Sequence, residues 1–365
     1  DALRDRGMQA ELVPHRGNVR VEGVDAFMTS VVLSYRENAL GRIAVARIVA
    51  EAGPGTVGRC VTVGWCGTPT SCLTRSIGRG SHRRTTLGLM CGIVGYVGRD
   101  TGSTPLDVVM EGLARLEYRG YDSAGVALVT ESGIDQRKRA GKLENLRTEI
   151  AAHPLAASST GIGHTRWATH GGPTDENAHP HLGGEDDALA LVHNGIIENF
   201  HQLKAQLLDT GVSFRSETDT EVAAQLLGRE YARTGDLTAA MQSVVARLEG
   251  AFTLLAVHRD SPGTIVAARR NSPLVVGVGD GEMFLGSDVA AFIGHTRQAV
   301  ELEQDQIVTI TPEGYSIVGF DGAPGQGKPY AVTWDAAAAE KGGYDYFMLK
   351  EIAEQPDAVS DTLLG

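Results

Sequence analysis

Cysteine is scarce: four in 365 residues, too few for the disulfide scaffold of a small secreted domain. Cys60, Cys66 and Cys72 have five residues between neighbours instead of forming C-x-x-C pairs, which argues against a zinc site there. No apolar run reaches the roughly 18 residues of a membrane span, and the opening at Asp1 lacks the basic-then-apolar layout of a secretory signal. No membrane partner is therefore expected, and the cytoplasm is the expected location. What is present is an ordinary globular composition, 42% hydrophobic, able to supply a substantial core in one large or two medium domains.

Charge of one sign is missing locally. Residues 1–89 hold 12 Arg and 7 acidic residues but no Lys, a net of +5, so the rest carries −17 of the total of −12. Residues 52–89 contain no Asp or Glu at all. Such a leader fits a nucleic-acid arm, a transit peptide or codons upstream of the true start. A transit peptide belongs at the N-terminus, whereas about fifty residues of mixed charge precede this stretch. An RNA-binding arm normally includes Lys and stacking aromatics, so no nucleic-acid partner is expected. Residues 24–50, with V-V-L-S-Y and I-A-V-A-R-I-V-A, predict short ordered elements and suggest no chemistry.

From Met90 onward the pattern is periodic. C-G-I-V-G-Y-V reads as a strand, and Leu106, Val109, Met110, Leu113 and Leu116 follow at helical spacing. Further strands are predicted at Gly125–Val129, Leu189–Val192, Phe252–Val257, Thr264–Ala268, Leu274–Val278 and Met283–Gly286. Helices are predicted at 198–209, 219–232 and 237–248, the last stopped by Gly250. Strand clusters separated by a block of helices point to an α+β layered sandwich.

Two motif matches fail. G-A-P-G-Q-G-K at 322–328 opens like a phosphate loop, but Pro329 stands where a Ser or Thr must ligate magnesium, so a surface turn is expected. The histidines of A-H-P-H at 178–181 and V-H-N at 192–194 lack a carboxylate or cysteine at ligand spacing, so no metal is expected. What is left is polar residues beside glycines, in H-T-R-W-A-T-H-G at 164–171 and H-N-G at 193–195. Asn194 with the Gly195 N–H can form an oxyanion hole. The same pair is also a strong hairpin-turn signal, and spacing does not separate the two.

M-C-G-I-V-G-Y, R-G-Y-D-S-A-G at 119–125, G-H-T-R-W-A-T-H-G at 163–171, V-H-N-G-I-I-E-N at 192–199 and S-E-T-D-T-E at 216–221 together resemble the class II glutamine amidotransferases, in particular their hexosamine-forming branch. The resemblance covers about 90–365, with 341–356 similar to that branch's hinge into a sugar-phosphate half. It implies a four-layer αββα sandwich of the N-terminal nucleophile type. It also implies an atypical extension over 1–89, a glutaminase domain over 90–310, its end and a linker over 311–340, and a hinge and the start of a sugar-isomerase half over 341–365.

The family's roles carry over residue by residue. Cys91 would attack the glutamine side-chain amide, with its own α-amine as base, and Asn194 with Gly195 would hold the oxyanion. Arg166 would clamp the substrate α-carboxylate and Asp219 its α-ammonium. Trp167, Thr169, His170 and Gly171 would line the pocket, Trp167 also gating ammonia, while His179 and His193 order the loops. No cofactor is implied. L-glutamine is the implied substrate, fructose 6-phosphate the acceptor in isomerase domains beyond this sequence, and the full-length protein a homodimer. The departure from the family is the extension, because a peptide bond before Cys91 leaves no amine to act as base. A misplaced start at residues before Met90, a cleaved propeptide and an inactive homologue that senses glutamine all remain open, the first being the one the leader's composition favours.

Overall fold

The computed structural model describes the backbone of four strands between Val19 and Gly64, and residues 91–99 and 104–333 in full. Met90, most of the acid-free stretch 52–89 and the hinge-like segment 341–356 lie outside the described residues. The chain divides into two compact units, Asp1–Thr86 and Leu87–Gly365. In the first, β1 (Val19–Ala26), β2 (Ser30–Glu37), β3 (Leu40–Arg47) and β4 (Val63–Gly64) form an antiparallel sheet in that order. The ordered elements expected within 24–50 are β2 and β3.

The second unit is a four-layer αββα sandwich. One layer is an eight-stranded sheet of β5 (Gly92–Gly98), β6 (Ser123–Thr130), β7 (Gly133–Ala140), β8 (Thr160–Arg166), β13 (Val275–Val278), β14 (Glu282–Gly286), β15 (Gln298–Glu301) and β18 (Lys328–Ala331). Its spatial order is β18-β15-β13-β14-β5-β8-β6-β7. The facing six-stranded sheet contains β9 (His181–Gly183), β10 (Leu189–Ile197), β11 (Gly250–His258), β12 (Ile265–Arg270), β16 (Gln306–Thr311) and β17 (Gly314–Gly319), in the order β17-β16-β12-β11-β10-β9. Helices α1 (Pro105–Arg115) and α2 (Leu143–Ala152) cover the first sheet; α3 (Phe200–Asp209), α4 (Asp219–Thr234) and α5 (Leu237–Val245) cover the second.

Because every inner strand is covered on both faces, the central strands read as continuous apolar runs instead of alternating ones. In β5, Ile93 and Val97 face the second sheet, meeting Val192, Leu255, Ile265 and Val308, while Val94 and Tyr96 face Val109 and Leu113 of α1. On the far side Leu189, Leu191 and Leu254 pack under Phe200, Leu227, Met241 and Val244. Truncating any such fully buried leucine to alanine removes about 2–5 kcal/mol.

Helix ends follow capping chemistry. Thr104 accepts the Asp107 N–H at 3.1 Å ahead of Pro105 at the first turn of α1. Thr218 accepts the Glu221 N–H at 3.2 Å to start α4, and the Glu221 carboxylate reaches back to the N–H groups of Arg215 (2.8 Å) and Ser216 (2.6 Å). S-E-T-D-T-E is thus the cap that places Asp219.

Two expectations change. β10 continues to Ile197, with Asn194 opposite Thr253 and Gly195 opposite Phe252, so the N-G pair lies inside a paired strand and the hairpin-turn reading is wrong. The signal misleads because β11 supplies a partner along all of β10 and the chain then enters α3. Helix α5 ends at Val245, not beside Gly250, which instead opens β11. Gly250 sits at φ +115°, and a Cβ there would lie 2.3 Å from the Ile196 carbonyl oxygen, so the close approach of β11 to its neighbour β10 demands the glycine.

Candidate active site

Cys91 immediately precedes β5, which lies between β14 and β8 in the middle of its sheet. Gly92 donates its N–H to Thr165 Oγ1 at 3.1 Å, and a Cβ on Gly92 would fall 2.5 Å from that oxygen, so only glycine lets the start of β5 approach β8 this closely. The half-buried Cys91 Sγ accepts the Trp167 N–H at 3.1 Å and lies 3.7 Å from the Trp167 carbonyl oxygen. Burial pushes the thiol pKa up, against the Trp167 N–H and the nearby Arg166 charge, which pull it down. Among the described residues no carboxylate or imidazole hydrogen-bonds Sγ.

Asn194 comes from the other sheet. Its Nδ2 donates to the Cys91 carbonyl oxygen at 2.7 Å, and its Oδ1 lies 2.8 Å from His164 Nε2. Gly195 beside it is exposed, at φ +121°. Arg166, at the end of β8, is buried and grips the loop that follows: its Nη groups donate to the carbonyls of His170 (2.5 Å), Gly171 (3.0 Å) and Gly172 (3.2 Å). That engages three of its five N–H donors. Burial lowers the Arg166 pKa, and the charges of Asp122, Cys91 and Asp219 oppose the shift, which puts all four groups in one neighbourhood.

Asp219, on the first turn of α4, accepts the Ile197 N–H at 2.9 Å through Oδ2, 3.9 Å from His193 Nδ1. His193 Nδ1 in turn lies 3.0 Å from Thr220 Oγ1. Trp167 and Thr169 are exposed; the His170 ring packs 4.6 Å from Phe200. Gly171, at φ +75°, has no room for a Cβ, which would lie 2.6 Å from Asn177 Nδ2. His179 is buried between the rings of His164 (4.3 Å) and His181 (4.9 Å). Burial holds the pKa values of His164, His179, His181 and His193 below that of free imidazole, so these rings are neutral. No group of His, Cys, Asp and Glu among the described residues is arranged to hold a metal ion.

The structure therefore joins Cys91, Arg166, Trp167, Asn194 and Asp219, with His170 and Gly171 on the loop Arg166 holds and His179 and His193 beneath. Among the described residues Thr169 has no hydrogen-bond partner. Three further groups were not singled out from the sequence. Asp122 Oδ2 accepts the Ala168 N–H at 2.7 Å, while its own N–H donates to the Arg166 carbonyl at 2.7 Å, pinning the strand end that aims the Trp167 N–H. Lys138 Nζ donates to the carbonyls of Glu176 (3.0 Å), Ala178 (3.0 Å) and Pro180 (3.5 Å), fastening the loop that carries His179. His164 supports Asn194. Its signal was its place two residues after Ile162 on the inward face of an apolar strand, where an imidazole needs a polar partner.

Residues 145–317 match the glutamine amidotransferase domain family. The chain carries a class II glutamine amidotransferase domain. It is 65% identical over 278 residues to the glutamine–fructose-6-phosphate aminotransferase (isomerising) of Streptomyces coelicolor, covering 76% of this chain and 44% of that one. The Mycobacterium tuberculosis protein of the same name is 58% identical over 286 residues, covering 76% and 45%. The chain thus spans less than half the length of these relatives. Among solved structures, the glutamine phosphoribosylpyrophosphate amidotransferase of B. subtilis superposes with a TM-score of 0.53 at 27% identity, over 63% of this chain and 49% of that one. The amidotransferase sandwich expected from the motifs is the fold observed. No helix among the described residues is long and apolar enough to cross a membrane.

Proposed function

We propose that this domain hydrolyses L-glutamine to glutamate and ammonia through a thioester on Cys91. The observation that carries the reading is the convergence on one residue of two groups from different sheets: the Trp167 N–H on Sγ at 3.1 Å and Asn194 Nδ2 on the Cys91 carbonyl at 2.7 Å. Sγ attacks the side-chain carbonyl carbon of glutamine, and the oxyanion is held by Asn194 Nδ2 and the Gly195 N–H, each such donor contributing on the order of 3 kcal/mol. A thiol whose pKa is raised by burial needs a base, and with no side-chain base on Sγ the α-amine of Cys91, with a pKa near 8, fills the role. It takes the thiol proton and delivers it to the departing ammonia; water then cleaves the thioester. Arg166 has donors left for the substrate carboxylate, and the second oxygen of Asp219 faces its ammonium. Trp167, Thr169, His170 and Gly171 form the wall of this pocket, and His179 and His193 order it.

The base exists only when Cys91 is the first residue, so either a start at Met90 with loss of that Met or cleavage of residues 1–90 is part of the proposal. We extend it to fructose 6-phosphate as acceptor of the ammonia, bound by the part of the relatives this chain does not cover, in a cytoplasmic homodimer. The test is the full chain with a protease site placed directly before Cys91, assayed for glutamate release before and after cutting. Activity that appears on cutting and is absent from the Cys91→Ala variant is expected. A cut protein that binds glutamine, escapes labelling by a glutamine-mimicking electrophile and releases no glutamate would instead be a sensor.

A further inference from the structure

We propose that His164 is the positioning residue that fixes which way the Asn194 amide points. The inference rests on the glutaminase reading of the site for its kinetic consequence, and on geometry alone for the orientation itself.

The two ends of an asparagine amide are nearly the same shape, so packing does not decide between them; hydrogen-bond partners do. On one side stands the Cys91 carbonyl oxygen, which can only accept, 2.7 Å from the Asn194 amide. The nitrogen must face it, which turns Oδ1 toward His164 Nε2 at 2.8 Å. Oδ1 can only accept, so Nε2 must carry the proton. The ring is fully buried and pushed down to about 3 in pKa, so it is neutral, and a proton on Nε2 leaves Nδ1 bare. Among the described residues His164 Nδ1 is buried with no hydrogen-bond partner. A bare nitrogen there needs no acceptor, which agrees with the ring keeping its one proton on the Asn194 side.

The surroundings also hinder the ring from turning over. His179 packs against it at 4.3 Å with the planes tilted by 38°, and His179 is itself closed in by His181, whose Nε2 lies 3.0 Å from Thr218 Oγ1. His164 lies on β8 and Asn194 on β10, so the bond crosses between the two sheets. Without the Nε2 donor the Cys91 carbonyl alone holds the amide and Oδ1 is left buried without its donor, so the turned amide, with Oδ1 beside any developing oxyanion where it repels, becomes more populated.

Two measurements test this. In the full chain labelled with nitrogen-15 at histidine, the His164 signals, identified by their loss in His164→Gln, should show the Nε2-protonated neutral tautomer; an Nδ1-protonated ring overturns the inference. This readout needs no activity, so a chain that proves unable to hydrolyse glutamine removes the functional reading and leaves the orientation decided. In the matured active protein, His164→Gln keeps a donor at the Nε2 position and should retain kcat within about fivefold. His164→Asn puts its donor at the Nδ1 position and should lose about 100-fold in kcat, the scale of losing one oxyanion donor. KM should stay within about threefold in both, since Arg166 and Asp219 are untouched. Combined with Asn194→Ala, His164→Asn should cost nothing further. Equal losses in the Gln and Asn variants, or full additivity with Asn194→Ala, would overturn it.

Discussion

Replacing Gly195 by alanine sets the paired-strand description of the N-G site against a definite number. At φ +121° an L-residue is strained, which costs about 1–3 kcal/mol. The added Cβ would lie 2.0 Å from the Ala251 carbonyl oxygen and 2.9 Å from both Ala251 C and Phe252 Cα. All three are backbone atoms of β11, so no side chain can swing aside; the strands must separate until the first contact reaches the 3.4 Å of ordinary packing. Overpacking of this kind costs about 1–3 kcal/mol more, giving about 2–6 kcal/mol in total. The shift also carries the Gly195 N–H away from where an oxyanion would sit, so kcat for glutamine should fall about 10²–10³-fold. Urea unfolding followed by tryptophan fluorescence, with a coupled assay for glutamate, reads both. Gly172, which has open space around it, is the control and should tolerate alanine within about 0.5 kcal/mol. A Gly195→Ala protein within 1 kcal/mol of its parent and with unchanged kcat would refute both the strand placement and the oxyanion role.

Asn194→Ala should reduce kcat about 10²–10³-fold with a smaller change in KM, measured by glutamate release after maturation. Asp122→Ala leaves the Ala168 N–H without its acceptor; a stability loss of about 1–3 kcal/mol and a lower kcat are expected, and an unchanged urea midpoint would contradict that. The pKa of His164 is depressed to about 3 in the fold against about 6.5 unfolded, so the unfolded chain binds the extra proton between these values. Stability is therefore complete above pH 6.5 and falls as pH drops, by about 2 kcal/mol from this residue between pH 6.5 and 5. The other buried histidines act in the same direction, and urea titrations at pH 7.5 and 5 should show the loss; equal stability at both would mean that the rings are not held neutral. Thr218→Ala removes the α4 cap and should cost about 1 kcal/mol, seen in thermal unfolding.

Much of this was legible in advance. Strands such as Phe252–Val257 and helices such as 219–232 follow from apolar periodicity that tertiary packing reinforces. The motifs around Arg166 and Asn194 point to a candidate site because each masses polar residues next to glycine, whereas Cys91, opening the apolar run C-G-I-V-G-Y-V, is pointed to by the family resemblance. What stayed hidden is what depends on partners distant in sequence. Asn-Gly reads as a turn until β11 is known to pair with it. Lys138 lies in the charged strand Gly133–Ala140, where nothing local shows its ammonium closing over three carbonyls. Nor does spacing reveal that His164 and Asn194 meet, since they lie on strands of different sheets.

That crossing has a consequence for the life of the chain. Cys91 leads into one sheet and Asn194 lies on the other, so under the proposed mechanism the reactive arrangement exists only after the two halves of the sandwich have docked. A nascent or partly unfolded copy carries an ordinary cysteine without the groups that would make it an amidase. Catalytic competence is thereby a report of completed assembly, and damage that loosens the inter-sheet core, even far from Cys91, should silence the chemistry before it unfolds the chain.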